Sequence, residues 1–113
     1  MRQLKFQVCI ISGVGLQGHY NLTWPDGAGL ESAIEDFAKL GVKVMITELD
    51  VDVLPAAWDQ SSADSKRNFG LQKKLNPYQD GLPPAIQQQL ADRYADLFAR
   101  FLRHRNVISR VTL

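Results

Sequence analysis

The alternation of strand-like runs with helical repeats is the feature that most constrains how this chain can fold. The apolar, partly β-branched run Val8–Ile11 is typical of a strand buried on both faces, and we expect that strand to continue from Val14 to His19. Residues 42–47 and 107–113 are two further β-rich runs. Because strands that alternate with helices favour parallel pairing with right-handed crossovers, this order predicts an α/β fold.

Two amphipathic helices are expected between the strands. Over residues 30–40 the apolar residues recur at helical spacing, and Gly41 stands at the C′ position. From Pro84 onward the apolar residues again repeat with the 3.6-residue period, and basic residues gather at the end, where the helix dipole favours them. Each helix therefore has one face to bury against the sheet.

The connection between the second strand and the second helix is unusually long. Residues 52–83 hold three prolines and many polar residues, and such connections normally have only about two to six residues. Within it, residues 65–74 are expected to form one or two helical turns. Loops of this length are usually functional or disordered.

Composition limits the class of protein. The 113 residues allow one core at most, and 13 Lys+Arg against 12 Asp+Glu give a net charge of +1, without the basic field that nucleic acids attract. The single cysteine, Cys9, cannot form an intramolecular disulfide, and it is expected to be a small buried apolar residue. Neither a membrane-spanning run nor a signal peptide is visible in this chain.

Three parallel strands and two helices do not complete an architecture. Such a sheet leaves one face uncovered and both edges open, which is costly for a chain without disulfides. We therefore expect the chain to be an incomplete part of a larger fold.

Polar side chains follow two of the apolar runs. Gln17 and His19 share one strand face, and Glu48 and Asp50 are expected to share a face with the apolar residues Val44 and Ile46. Groups at the carboxyl ends of parallel strands converge, so these four polar residues are candidates for one site. A carboxylate that directly follows a buried run is also expected to be partly desolvated.

Simpler interpretations of the same residues stay open. Glu48 and Asp50 could form a solvated strand end that leads into an acidic turn, and His19 could be a histidine satisfied by backbone groups. Asp50 and Asp52 with one nearby histidine are too few ligands to predict a metal site.

Two motifs carry a family resemblance. Residues 13–20 (GVGLQGHY) and 44–51 (VMITELDV) resemble the late-barrel motifs of family 10 glycoside hydrolases, whose best-known members are endo-β-1,4-xylanases. The resemblance implies a partial (β/α)8 barrel, with strands six to eight and two helices, so that residues 1–113 would be the incomplete C-terminal part of a catalytic barrel. A whole barrel needs about 250 residues.

The resemblance also implies roles for single residues. Glu48 corresponds to the nucleophile of a retaining mechanism, His19 and Asp50 to its orienting partners, and Gln17 to a residue close to the sugar at the cleavage point. The acid/base glutamate of the family belongs to an upstream strand. The remaining glutamates, Glu31 and Glu35, lie on the first predicted helix, so we expect the isolated chain to be inactive.

Other expectations concern ligands and location. Trp24 and Trp58 lie in the loops after the two polar clusters, where each could stack on a sugar ring or pack against the rim of the barrel. The implied substrate is xylan or a xylo-oligosaccharide, no cofactor is expected, and the parent protein would be secreted.

Two alternatives remain. The chain could be a non-catalytic α/β unit that binds carbohydrate or self-associates as a homo-oligomer. A small flavodoxin-like domain is a weaker alternative, because no glycine-rich phosphate loop precedes a helix.

Overall fold

A computed structural model describes residues 10–54 and 76–113. Within these ranges three strands alternate with two helices: β1 (Gly13–Asn21), α1 (Gly27–Lys39), β2 (Lys43–Asp52), α2 (Pro84–Arg103) and β3 (Ile108–Val111). The strands form one sheet in the order β1-β2-β3, and both pairs are parallel. The predicted α/β fold with parallel strands is confirmed.

The first strand begins later than predicted. β1 starts at Gly13, and Ile10 is 88% exposed, so the described part of the apolar run is not a strand buried on both faces. Pairing with β2 determines this start, because the backbone N–H of Lys43, the first residue of β2, donates to the Ser12 carbonyl at 2.9 Å. Cys9 and the helical turns predicted over residues 65–74 lie outside the described residues.

Helix α1 starts three residues before the predicted Leu30, at Gly27. Asp26 caps it, since Oδ1 of its side chain accepts the backbone N–H of Gly29 at 2.7 Å. The helix ends at Lys39 with Leu40 as its C-cap, and Gly41 follows with a φ of 72°. Gly41 thus occupies the predicted C′ position, in the left-handed conformation that glycine adopts without strain.

Helix α2 begins at Pro84, as predicted, and runs for 20 residues. Its last turn carries Arg100 and Arg103, which complement the negative end of the helix dipole. Neither helix in the described ranges combines the length and apolar character needed to cross a membrane.

The core lies between the helices and one face of the sheet. Its largest fully buried side chains are Ile34 of α1, Val44 and Ile46 of β2, and Leu97 of α2. Burial of each such side chain stabilises the fold by about 1.5–3 kcal/mol. Both helices contribute to this single cluster, so they cover the same face and leave the opposite face of the sheet open.

A partly buried ion-pair network joins the two helices. Glu31 of α1 accepts from Arg100 at 2.8 Å, from Arg103 at 3.1 Å and from His104 at 3.2 Å. Arg100 also donates to Asp96 at 2.9 Å. Glu31 is therefore engaged on the helical side of the sheet.

Candidate active site

The pairing of β1 with β2 is irregular beside Glu48. Gln17 pairs with Thr47 and His19 pairs with Asp50, so two steps along β1 correspond to three along β2. Glu48 is the extra residue, and its φ of 54° places it in the left-handed region that is costly for a side chain with a Cβ atom. β2 therefore contains a β-bulge at Glu48.

On its other side, β2 pairs with β3 and the chain after it, and the hydrogen bonds there also pass over Glu48. The backbone N–H of Thr112 donates to the Ile46 carbonyl at 2.9 Å, and the Thr112 carbonyl accepts from Leu49 at 2.7 Å. In a regular parallel ladder the second bond would come from Glu48, two residues after Ile46. The bulge is thus anchored by hydrogen bonds to the chain directly after β3.

The bulge overturns the predicted shared face of β2. Val44 and Ile46 are fully buried, and after the bulge Leu49 takes the buried position, with 3% exposure. Glu48 and Asp50 lie on the opposite, open face, because one extra residue reverses the alternation of side chains. Simple counting by two could not predict this reversal.

His19 lies between the two carboxylates of β2. Its Nε2 lies 3.0 Å from Oε2 of Glu48, and its Nδ1 lies 2.9 Å from Oδ2 of Asp50. Ionised carboxylates can only accept hydrogen bonds, so both ring nitrogens donate when the imidazole is protonated. The hydrogen bond to Asp50 and then that to Glu48 raise the pKa of His19 above its ordinary value of 6.5.

The expected desolvation of these carboxylates is wrong for this chain. The side chains of His19, Glu48 and Asp50 are 53%, 58% and 64% exposed. They project from the face that the two helices leave open, so no apolar side chain of the core covers them. The cluster is held by hydrogen bonds rather than by burial.

Gln17 and Trp24 lie near this cluster in different ways. Gln17 is exposed on the same face of β1 as His19, two residues earlier. Trp24 lies in the loop after β1, is 59% exposed, and packs edge-on against Tyr20 with ring centroids 6.3 Å apart. Trp58, the other tryptophan considered from the sequence, lies outside the described residues.

A hollow of about 580 Å³ adjoins the cluster. Its lining residues come from the ends of β1 and β2 and from the loop between β1 and α1: His19, Tyr20, Asn21, Trp24, Asp50 and Asp52. Sequence reasoning did not select Tyr20, Asn21 or Asp52 for the site. The spacing of two between Asp50 and Asp52 was the available signal for Asp52, since both then lie on one strand face.

Glu48 and Asp50 approach opposite nitrogens of one imidazole ring, so they do not converge on a common point. No group of three or more His, Cys, Asp or Glu residues in 10–54 and 76–113 is placed to hold a metal ion.

Comparisons with known proteins agree on one family. The sequence profile of glycosyl hydrolase family 10 matches residues 1–113. The chain is 34% identical over 113 residues to endo-1,4-beta-xylanase A of Xylanibacter ruminicola, spanning all of this chain and 31% of that protein. It is 30% identical over 112 residues to a beta-1,4-xylanase of Dictyoglomus thermophilum, spanning 99% of this chain and 27% of that protein.

A solved structure has the same fold as this chain over the matching region. A novel GH10 endoxylanase retrieved from a sugarcane soil metagenome superimposes with a TM-score of 0.84 at 38% identity, covering 99% of this chain and 30% of that one. The chain thus spans about 30% of the length of these three relatives, and its three parallel strands and two helices match part of a family 10 TIM barrel. Whole-chain profile, relatives and fold agree, and the chain belongs to glycosyl hydrolase family 10.

Proposed function

We propose that this chain is the nucleophile-bearing part of a retaining endo-β-1,4-xylanase that hydrolyses xylan, and that Glu48 is the nucleophile. The observation that carries the proposal is the placement of His19 between Glu48 and Asp50. Membership of a glycosidase family, with relatives named as xylanases, supports the choice of reaction and substrate.

The geometry suits nucleophilic attack by Glu48. The protonated His19 imidazole donates to Oε2 at 3.0 Å, which leaves Oε1 for the anomeric carbon of the sugar. In the first step Oε1 forms a bond to that carbon while the glycosidic C–O bond breaks and the departing oxygen takes a proton from a general acid. In the second step the same residue, now deprotonated, takes a proton from a water molecule whose oxygen bonds to that carbon, while the C–O bond to Glu48 breaks and the carboxylate is released.

His19 and Asp50 orient the nucleophile in this proposal. Asp50 accepts from Nδ1 and keeps that nitrogen protonated, so Nε2 is turned to Glu48. The positive charge of the imidazolium stabilises the Glu48 carboxylate before attack and when it leaves the sugar. Neither residue needs to touch the substrate for this role.

The general acid comes from outside this chain in the proposal. A retaining glycosidase places its two carboxyl groups about 5–5.5 Å apart. Glu31 is paired with arginines on the helical side of the sheet, and Glu35 lies on the same helix, whose buried residues pack against that side. We therefore expect the 113 residues alone to bind sugar without hydrolysing it.

In this proposal Trp24 and Gln17 bind the sugar next to the nucleophile. The exposed ring of Trp24 borders the hollow beside His19 and Asp50 and offers an apolar surface on which a sugar ring can stack. Gln17, on the same sheet face, can donate to and accept from sugar hydroxyls. Trp58 remains a sequence-based candidate for a second stacking surface, and the parent protein, as a polysaccharide hydrolase, is proposed to be secreted.

A chimera provides the test. The matching third of the Xylanibacter ruminicola xylanase is replaced by this chain, and hydrolysis of nitrophenyl xylobioside is measured with Glu48 intact and as Glu48→Ala. We expect activity only with Glu48, and partial recovery of the alanine variant by azide, with an α-glycosyl azide as product. A folded chimera with equal rates for both forms would contradict the role of Glu48.

A second function, self-association without catalysis, is favoured by the exposed apolar residues. Ile10, Leu102 and Leu113 are 88%, 62% and 80% exposed, and the sheet ends in the edge strands β1 and β3. Sedimentation equilibrium of the isolated chain tests this alternative. A mass that rises with concentration, together with no binding of xylo-oligosaccharide, would favour it over the xylanase proposal.

A further inference from the structure

Arg93 of α2 reaches across the fold to the loop that carries Trp24. Its Nε donates to the Asn21 carbonyl at 3.0 Å, and its Nη2 donates to the Pro25 carbonyl at 2.7 Å. The side chain is only 9% exposed. These two carbonyls stand at the start and the end of the loop, and Trp24 lies between them.

The same loop is organised from within by Asn21. Its side-chain Oδ1 accepts the backbone N–H groups of Thr23 at 2.9 Å and Trp24 at 2.6 Å, and its own backbone N–H donates to the Trp24 carbonyl at 3.0 Å. These short-range bonds set the shape of the turn. The edge contact of Trp24 with Tyr20 is the local link between this turn and the hollow. The bonds from Arg93 add a second link, which comes from another element of the fold.

We propose that Arg93 is a positioning residue that holds Trp24 at the edge of the hollow, so that its ring is preorganised for a neutral sugar next to His19. The identity of the ligand in this inference rests on the proposed function. The contact between Arg93 and the loop is independent of that function. Arg93 does not line the hollow and acts through the backbone of the loop.

An arginine is needed for this geometry. The planar guanidinium directs separate N–H groups to two acceptors at once, whereas a lysine ammonium is a compact charge on a flexible stem. Asp96, 4.0 Å from Nη1, supplies a nearby negative charge, but it does not touch the loop. Lysine at this position would keep the positive charge and lose one of the two anchors.

Fluorescence is measured on the full 113-residue chain with Trp58→Phe, so that Trp24 is the only tryptophan, and affinity is measured on the full chain with Trp58 intact. Time-resolved fluorescence anisotropy reports the local motion of the Trp24 ring, and calorimetry reports the affinity for xylotriose. Both are measured for the parent chain, Arg93→Lys and Arg93→Met. The matched control is Arg103→Lys, since Arg103 lies on the same helix and binds Glu31.

We expect both Arg93 variants to show a larger fast component of Trp24 motion, with the control unchanged. Ordering a loosened side chain on binding lowers affinity, so xylotriose should bind Arg93→Lys about 2- to 10-fold more weakly. Unfolding midpoints measured in parallel separate loss of positioning from general loss of stability. If Arg93→Met does not fold, Arg93→Lys decides the question.

Each remaining outcome is decisive. Unchanged Trp24 motion in a folded Arg93→Lys chain would overturn the proposal, even if affinity fell. Unchanged affinity together with greater Trp24 motion would also overturn it, because the held ring would then have no role in binding. If the chain with Trp58 intact binds no xylotriose while Trp24 motion still depends on Arg93, the sugar-binding part of the proposed function fails. The preorganisation of Trp24 for a sugar then fails with it, and only the anchoring of the loop by Arg93 stands.

Discussion

Nε2 of His19 lies 3.0 Å from Oε2 of Glu48. This contact joins β1 to the bulge of β2, where Glu48 is the extra residue relative to β1. Without the bulge, regular alternation would place the Glu48 side chain on the face of Val44 and Ile46, in the core. The left-handed backbone of Glu48 is thus the local cost of bringing its carboxylate to His19.

The first prediction concerns the backbone of Glu48. Because φ is 54° there, we expect Glu48→Gly to be more stable than Glu48→Ala by about 1 kcal/mol, since only the alanine keeps the left-handed penalty of a Cβ atom. Urea unfolding of both variants measures the difference. In an ordinary strand position glycine would be the less stable of the two, so that order would contradict the strained bulge.

The second prediction concerns the ionisation of His19. NMR titration of its imidazole should give a pKa above 6.5 in the wild-type chain. Asp50→Asn should lower this pKa more than Glu48→Gln does, because the hydrogen bond to Asp50 is the larger cause of the shift. A larger effect of Glu48→Gln would reverse the assigned order of the two carboxylates.

The third prediction links this pKa to stability. A histidine whose pKa is raised by folding stabilises the folded state fully below its unfolded value of 6.5, and the contribution is lost as pH rises through the raised value. The difference in unfolding free energy between wild type and His19→Gln should therefore be largest below pH 6.5 and shrink as the pH rises through the raised pKa. A difference that is constant or grows over this range would contradict the hydrogen-bonded imidazolium.

The fourth prediction concerns Gly18, directly before His19. A Cβ atom there would lie 3.1 Å from the backbone Cα of Leu49 and from a methyl group of Ile46, so Gly18→Ala should destabilise the chain by about 1–3 kcal/mol. The matched control is Gly15→Ala, whose Cβ would lie 3.4 Å from Thr47 and should cost less than about 1 kcal/mol. Thermal unfolding of both variants measures their loss of stability. Equal losses for Gly18→Ala and Gly15→Ala would contradict the crowding at Leu49.

Several features of the fold follow from short stretches of sequence. The C′ position of Gly41 and the start of α2 at Pro84 depend on local backbone preferences, and both were predictable. The two motifs around His19 and Glu48 pointed to the family, which the profile match confirms. The start of α1 at Gly27 depends on the capping bond of Asp26, which the spacing of the apolar residues does not indicate.

The sequence by itself determined the alternation of strands and helices, their approximate limits and the residues that approach one another at the strand ends. The tertiary structure alone decided where β1 begins, because that depends on where β2 offers a partner to Ser12. It also decided on which face of the sheet the Glu48 side chain lies. That face follows from the register of β2 with β1 and with the chain after β3, and not from counting along β2. The anchoring of the Trp24 loop by Arg93 joins residues about 70 positions apart, and such contacts depend on how elements pack, which no local pattern encodes.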